Sequence, residues 1–231
     1  MSEKWETFQG RVAEVRGRIE AACRRAGRSP EEVTLMAVTK THPVEAAAWA
    51  ARAGIHSVGE NRVREAVEKI TAAPDLPVRW ELIGHLQTNK ARAAATYFQR
   101  IQSVDSPKLA TRLDRMAGEL GKVLPVLLQI NAGEDPNKFG AVGGEAMRLA
   151  EEALRLPHLR VEGLMTIAPL EGGRETARRA FAHLRELRDR MRTELGADLS
   201  ELSMGMTGDL EEAVAEGSTL LRVGTALFGE R

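Results

Sequence analysis

Cysteine is almost missing from this chain: Cys23 is the only one in 231 residues. A lone thiol excludes an internal disulfide framework and a zinc site built from several cysteines. It suits a reducing, cytoplasmic setting. Tyrosine is equally scarce, with Tyr97 alone, and aromatic residues make up 4% of the chain. Net charge is absent as well, because 33 Lys+Arg balance 33 Asp+Glu. A nucleic-acid partner normally calls for a basic excess. The most basic stretch, Arg174–Arg192, lacks the interleaved aromatics on which bases stack, so no nucleic-acid partner is expected. Long hydrophobic runs are missing too. The longest uncharged one, Val123–Gly133, falls well short of the roughly 18 residues of a membrane span. The start, Met1-Ser-Glu-Lys-Trp-Glu6, has acidic residues where a secretory signal has an apolar core. No membrane partner is expected.

The rest of the composition is that of a globular protein, 43% hydrophobic and 29% charged, ample for a core. The length allows one large domain or two small ones. Trp5, Phe8, Val12, Val15, Ile19 and Ala22 recur at spacings of three and four, which predicts a long N-terminal helix closed by Gly27 and Pro30. After it the chain alternates. Val33–Thr39 and Leu124–Ile130 are continuous apolar runs, the mark of parallel strands buried on both faces. Ile55–Val58, Arg79–Ile83, Arg100–Val104, Val161–Met165, Glu201–Met204 and Leu220–Val223 complete eight predicted strands. Helical patterns follow them over Val44–Gly54, Arg62–Ala72, Asn89–Tyr97, Ser106–Gly121, Gly144–Leu156, Arg174–Leu195 and Asp209–Glu216, and a short tail follows the last. Ser106 and Pro107 open their helix as N-cap and first helical residue. Eight units of about 25 residues predict an α/β fold, a single (β/α)8 TIM barrel with an extra N-terminal helix, forming one domain over 1–231. A doubly wound open sheet is the alternative. The turn Thr39-Lys-Thr-His-Pro43 lacks the glycine-rich loop that sheet carries after its first strand.

Barrel enzymes and binders place their sites at the C-terminal ends of the strands. Lys40 emerges there from a buried strand. Partial desolvation lowers the pKa of such an amine and frees it to attack a carbonyl carbon, giving a Schiff base. The plain alternative is a lysine that ends its strand in solvent. The loops after strands seven and eight are the usual phosphate site of barrels. Here they offer Ser203, Gly205, Thr207 and Gly208, then Gly224 and Thr225; ordinary turns, with Thr207 as an N-cap, are the bland reading. Arg222 lies within the last strand and faces either the interior or the helices. Asn61 and His85 are candidate hydrogen-bond partners for a ligand, and Met165 and Met204 candidate pocket wall. A Schiff-base lysine with a phosphate site describes pyridoxal 5′-phosphate (PLP). It equally describes an aldolase acting on a phosphosugar.

Six segments carry a wider resemblance: Ala37-Val-Thr-Lys-Thr-His-Pro43, Gly59-Glu-Asn-Arg-Val-Arg-Glu65, Ile83-Gly-His-Leu-Gln-Thr-Asn-Lys90, Gly163-Leu-Met165, Leu202-Ser-Met-Gly-Met-Thr-Gly-Asp209 and Leu221-Arg-Val-Gly-Thr-Ala-Leu-Phe-Gly229. Together, in order and across essentially the whole chain, they resemble the pyridoxal-phosphate homeostasis proteins, the YggS/PROSC family. The resemblance implies the single barrel domain of alanine-racemase-like, fold type III proteins and a role in vitamin B6 balance without established turnover. It implies that Lys40 holds the cofactor as a Schiff base and that Asn61 approaches the ring hydroxyl. Ser203, Gly224 and Thr225 would hold the phosphate, with Met204 and Thr207 nearby, and Arg222 would face the pyridine nitrogen. Two positions depart from the family pattern: His42 stands where a second lysine is usual, and Thr207 where serine is.

An arginine opposite the ring nitrogen keeps that nitrogen unprotonated, which weakens the ring as an electron sink. Racemases of this fold offset that with a tyrosine base from another domain. Tyr97 is expected late in a helix, toward the opposite end of the barrel. The reading is therefore a carrier that buffers or delivers PLP, with apo PLP-dependent enzymes as recipients, working as a monomer. A weak amino-acid racemase is the alternative, and the phosphosugar aldolase a more distant one.

Overall fold

The computed structural model describes residues 3–169 and 171–229. The first two and last two residues of the expected 1–231 span lie outside the described residues. Parallel strands close into a barrel in sequence order: β1 (Thr34–Val38), β2 (Ser57–Glu60), β3 (Arg79–Leu82), β4 (Arg100–Val104), β5 (Leu124–Gln129), β6 (Leu159–Met165), β7 (Glu201–Ser203) and β8 (Leu220–Val223). β8 returns to β1 with Arg222 beside Met36. The helices are α1 (Glu3–Ala26), α2 (Val44–Arg52), α3 (Val63–Ala72), α4 (Ala91–Tyr97), α5 (Pro107–Glu119), α6 (Gly143–Leu154), α7 (Gly173–Leu195), α8 (Leu210–Ala215) and α9 (Thr225–Phe228). Successive strand residues face opposite sides. One set, including Ala37, Val58, Leu82, Ile101, Leu164 and Leu202, joins helix residues such as Leu113, Leu149 and Phe181 in a continuous core.

Some boundaries move. β2 begins at Ser57 rather than Ile55 and runs to Glu60, because its ladder with β3 pairs Ser57 with Arg79 through Glu60 with Leu82. The helix expected from Asn89 opens as a 3-10 turn over Thr88–Lys90, and the regular helix starts at Ala91. Pro30–Glu32 is a 3-10 turn held by a capping box from Ser29. The expected tail carries a helical turn, α9, ended by Gly229 in a left-handed conformation, φ 89.

The barrel interior is polar in its middle. β4 and β7 are not neighbours in the barrel, so the 2.6 Å bond from Ser203 Oγ to Gln102 Oε1 crosses the interior. Glu81 on β3 accepts from Ser57 Oγ at 2.7 Å, Arg79 Nε at 2.8 Å, Arg100 Nε at 2.6 Å and Gln102 Nε2 at 2.7 Å. Arg100 reaches on to Glu162 at 3.1 Å.

α1 buries Trp5, Phe8, Val12, Val15, Ile19 and Ala22 as its spacing requires, and packs against α8 and α9. Phe8 stacks on Phe228 with ring centroids 5.3 Å apart. Arg18 grips both carboxylate oxygens of Glu211 and donates to the Thr207 carbonyl, each at 2.9 Å. The first helix thus fastens the loop after β7.

Gly163 is where β6 lies closest to β7: a side chain there would overlap the Glu201 backbone carbonyl. Gly163→Ala is expected to destabilise the protein by about 1–3 kcal/mol or more, as overpacking against backbone does, read as a lower urea midpoint.

Candidate functional site

The C-terminal ends of the strands enclose a cavity of about 990 Å³, at the upper end for a small-molecule site. Of the residues singled out in the sequence, Lys40, Asn61, His85, Thr207, Arg222, Gly224 and Thr225 line it. Met165, Ser203 and Met204 do not. All three are fully buried beneath the lining. Met165 ends β6 between Gln129 and Ser203. Met204 belongs to the core between barrel and helices. The Ser203 hydroxyl gives its proton to Gln102 and accepts from Arg222 Nη1 at 2.7 Å.

Lys40 stands two residues beyond the end of β1, after the buried Thr39, and is half-buried. Its turn is built with care. Thr41 sits at φ 64, a left-handed conformation that costs a β-branched residue on the order of 1–3 kcal/mol. Two contacts hold it there: the Thr41 N–H donates to Glu65 on α3, and the Thr41 hydroxyl donates to the Lys40 carbonyl at 2.6 Å. Behind the turn, Lys69 bonds the Thr39 carbonyl at 2.9 Å, Glu60 at 2.6 Å and Glu65 at 3.0 Å. Burial pushes the Glu60 carboxyl up, against the bonds from Lys69 and Thr39. Burial also acts upward on Glu65, but the bonds from Lys69 and the Thr41 amide outweigh it and hold that carboxyl low.

Arg222 faces the interior and forms part of the cavity floor. It donates to Ser203 and, through Nη2, to the Thr166 carbonyl at 2.7 Å. Burial pushes its pKa down to about 10, with the charge of Asp209 opposing; it remains a cation at neutral pH. Asp209 also lines the cavity. Its carboxyl is raised by burial, although it accepts from the Met206 N–H at 2.6 Å.

On the far side, the loop after β5 folds on Asn131, whose side chain donates to the Asp135 carbonyl at 2.8 Å and accepts from the Asp135 N–H at 3.1 Å. This loop brings Lys138 and Phe139 to the cavity. Phe139 lies flat on His85, 3.8 Å between centroids and 10° between planes, and His85 Nδ1 is 3.1 Å from Asp105. Burial lowers the pKa of Lys138. Gln129 donates to the Phe139 carbonyl at 3.1 Å, while its buried Oε1 has no partner among the described residues and is open to a ligand donor. Sequence reasoning missed Gln129, Lys138, Phe139 and Asp209. The long run Asn131–Gly140 at the C-terminal face was the available signal, since extended βα loops there carry sites.

The lining is cation-rich, with Lys40, Lys138, Arg174 and Arg222 against Asp209, which favours an anionic ligand. Thr207 and Thr225 present hydroxyls beside Gly208, and a side chain at Gly208 would meet nothing within 4 Å, so a ligand can approach the backbone there. An amine, a buried guanidinium and such a cradle fit an aldehyde with a phosphate arm.

The alanine racemase N-terminal domain family matches residues 12–231. A pyridoxal phosphate homeostasis protein of Pseudomonas aeruginosa is 42% identical over 225 residues, covering 97% of this chain and 96% of that protein. The chain belongs to the pyridoxal phosphate homeostasis protein family. A solved structure of PipY from Synechococcus elongatus, a protein with PLP bound, superposes with a TM-score of 0.86 at 40% identity, covering 96% of this chain and 100% of that one. Alanine racemase from Clostridium difficile superposes at 0.80 with 15% identity, and this chain spans 57% of that one. That second likeness is one of fold. It fixes how the family's barrel is built without extending the racemase's chemistry to it.

The Glu65 bridge gives a pH test. Its folded-state pKa is lowered, so its stabilising contribution is complete above the ordinary carboxylate range, about 4.3, and is lost as pH falls through the lowered value. The Tm gap between the native protein and Glu65→Gln is expected to be widest near pH 7 and to close on acidification toward pH 3.

Proposed function

We propose that this protein binds PLP and buffers or delivers it, with Lys40 as the covalent anchor. The observation that carries the reading is the convergence in one cavity of Lys40, the buried Arg222, and the paired hydroxyls Thr207 and Thr225. When bound, PLP supplies an aldehyde that condenses reversibly with a primary amine. The chain's own residues do the rest. The Lys40 turn, fixed by Glu65, presents the amine at the mouth of β1. Thr207 and Thr225, with the backbone at Gly208 and Gly224, would receive the phosphate. Asn61 would take the ring hydroxyl side, and Arg222 would face the ring nitrogen as a donor, which favours an unprotonated nitrogen. Ser203 contributes from below, by orienting Arg222. Met165 and Met204 back the floor.

Carriage rather than turnover is favoured by where the tyrosine lies. Tyr97 ends α4, immediately before β4, and so sits at the N-terminal end of the barrel, away from Lys40. A racemase-style second base is not supplied by it. We read the chain as one domain over 1–231, acting in the cytoplasm as a monomer, with apo PLP-dependent enzymes as recipients. No helix among the described residues is long and apolar enough to cross a membrane. His42, tilted against Phe228 at 4.9 Å, lines the cavity where the family's usual lysine would add a further charge.

Purified protein is expected to be yellow, or to become so with added PLP, and to lose the colour on borohydride reduction with the label on Lys40. Lys40→Ala is expected to stay colourless. Protein that takes up no PLP defeats the proposal, and uptake of a phosphosugar in its place points to an aldolase. Thr225→Ala is expected to weaken PLP binding by about three- to tenfold, the worth of one hydrogen bond, measured by absorbance titration.

A further inference from the structure

We propose that Gln102, which lies below the cavity and is absent from its lining, is a positioning residue that sets how Arg222 meets the ligand. The inference rests on the PLP-binding reading and deepens it. Some of the groups along this path can only donate and others can only accept. Glu81 is an acceptor, so the Gln102 group 2.7 Å from it is the amide N–H₂. The amide oxygen of Gln102 is thereby turned to Ser203, 2.6 Å away, and must accept. The single Ser203 proton is then committed to Gln102, and its oxygen is left to accept from Arg222 Nη1 at 2.7 Å. Arg222 can only donate, which agrees. Every bond in the chain from Glu81 through Gln102 and Ser203 to Arg222 has one possible sense.

The anchor of this chain is rigid. Glu81 is fully buried and also accepts from Ser57, Arg79 and Arg100. Four donors fill the sites of a carboxylate. Gln102 and Ser203 are fully buried as well, so water does not compete for their bonds. The Thr166 carbonyl fixes the second arm of Arg222 at 2.7 Å. With Ser203 and Thr166 both satisfied, the guanidinium plane is set, and its remaining donors have a defined direction toward the cavity. Without Gln102 the Ser203 hydroxyl loses the acceptor that fixes its proton and its rotamer, so the oxygen that receives Arg222 Nη1 is no longer pinned in place.

The test is an absorbance titration of apoprotein with PLP, across pH, on the native protein, Gln102→Leu, Gln102→His, Ser203→Ala and the double variant Gln102→Leu/Ser203→Ala. Leucine removes both the donor and the acceptor. Neutral histidine keeps one of each. The expected result for Gln102→Leu is about three- to tenfold weaker PLP binding, the worth of one hydrogen bond, with a shift in the pH dependence of the visible band. Gln102→His is expected to restore both toward native. Adding Gln102→Leu to Ser203→Ala is expected to change neither readout further, because both act through the same bond. A native-like titration and band in Gln102→Leu overturns the inference, and so do additive effects in the double variant. If Gln102→Leu does not fold, Ser203→Ala decides alone: it must shift the band, and an unshifted band overturns the proposal. Failure of the native protein to bind PLP defeats the functional reading itself, an outcome distinct from these.

Discussion

The carboxylate of Glu81, buried inside the barrel between β2 and β4, is the fixed point of this structure. It is fully buried and would be costly there without partners. Ser57, Arg79, Arg100 and Gln102 supply them, from three strands. Hydrogen bonds in a low-dielectric interior are strong when all are made and expensive when one is missing. The interior is thus held to a single arrangement, and the floor of the cavity inherits that arrangement through Ser203 and Arg222.

A second set of contacts works from outside. Lys69 and Glu65 on α3 hold the turn that presents Lys40. Arg18 on α1 holds the carbonyl of Thr207 and the side chain of Glu211. The loop carrying Phe139 is folded by Asn131. Each of these three loops is tied to a helix or, through Gln129, to its own strand, so they gain the rigidity that binding sites borrow from a scaffold.

The fold was legible because β1 and β5 are apolar runs, the remaining strand-like segments recur in alternation with helical ones, and most helices carry one clear stripe. Val33–Thr39 and Leu124–Ile130 could hardly be anything but buried parallel strands. Boundaries slipped where ladder pairing, not composition, decides the end, as at β2. The upper lining of the cavity was legible as well, since Lys40, Thr207 and Thr225 follow their strands and Arg222 lies near the end of β8. The lower half was not. Arg79-Trp-Glu-Leu82 and Arg100-Ile-Gln-Ser-Val104 alternate polar and apolar residues, which is the record of a polar interior. Read only as strand-like segments, they do not reveal it, nor the bonds that Ser203 makes to Gln102 and Arg222 below the cavity.

The order of the chain bears on how the site comes into being. Lys40 follows the first strand, while Arg222, Gly224 and Thr225 stand at the end of the last. The helix that fastens the loop after β7 is the first of the described elements. A growing polypeptide therefore carries Lys40 long before it has made Arg222, Gly224 and Thr225. Only the pairing of β8 with β1 joins the two, so the cavity takes shape at the closing step of the barrel and not before it.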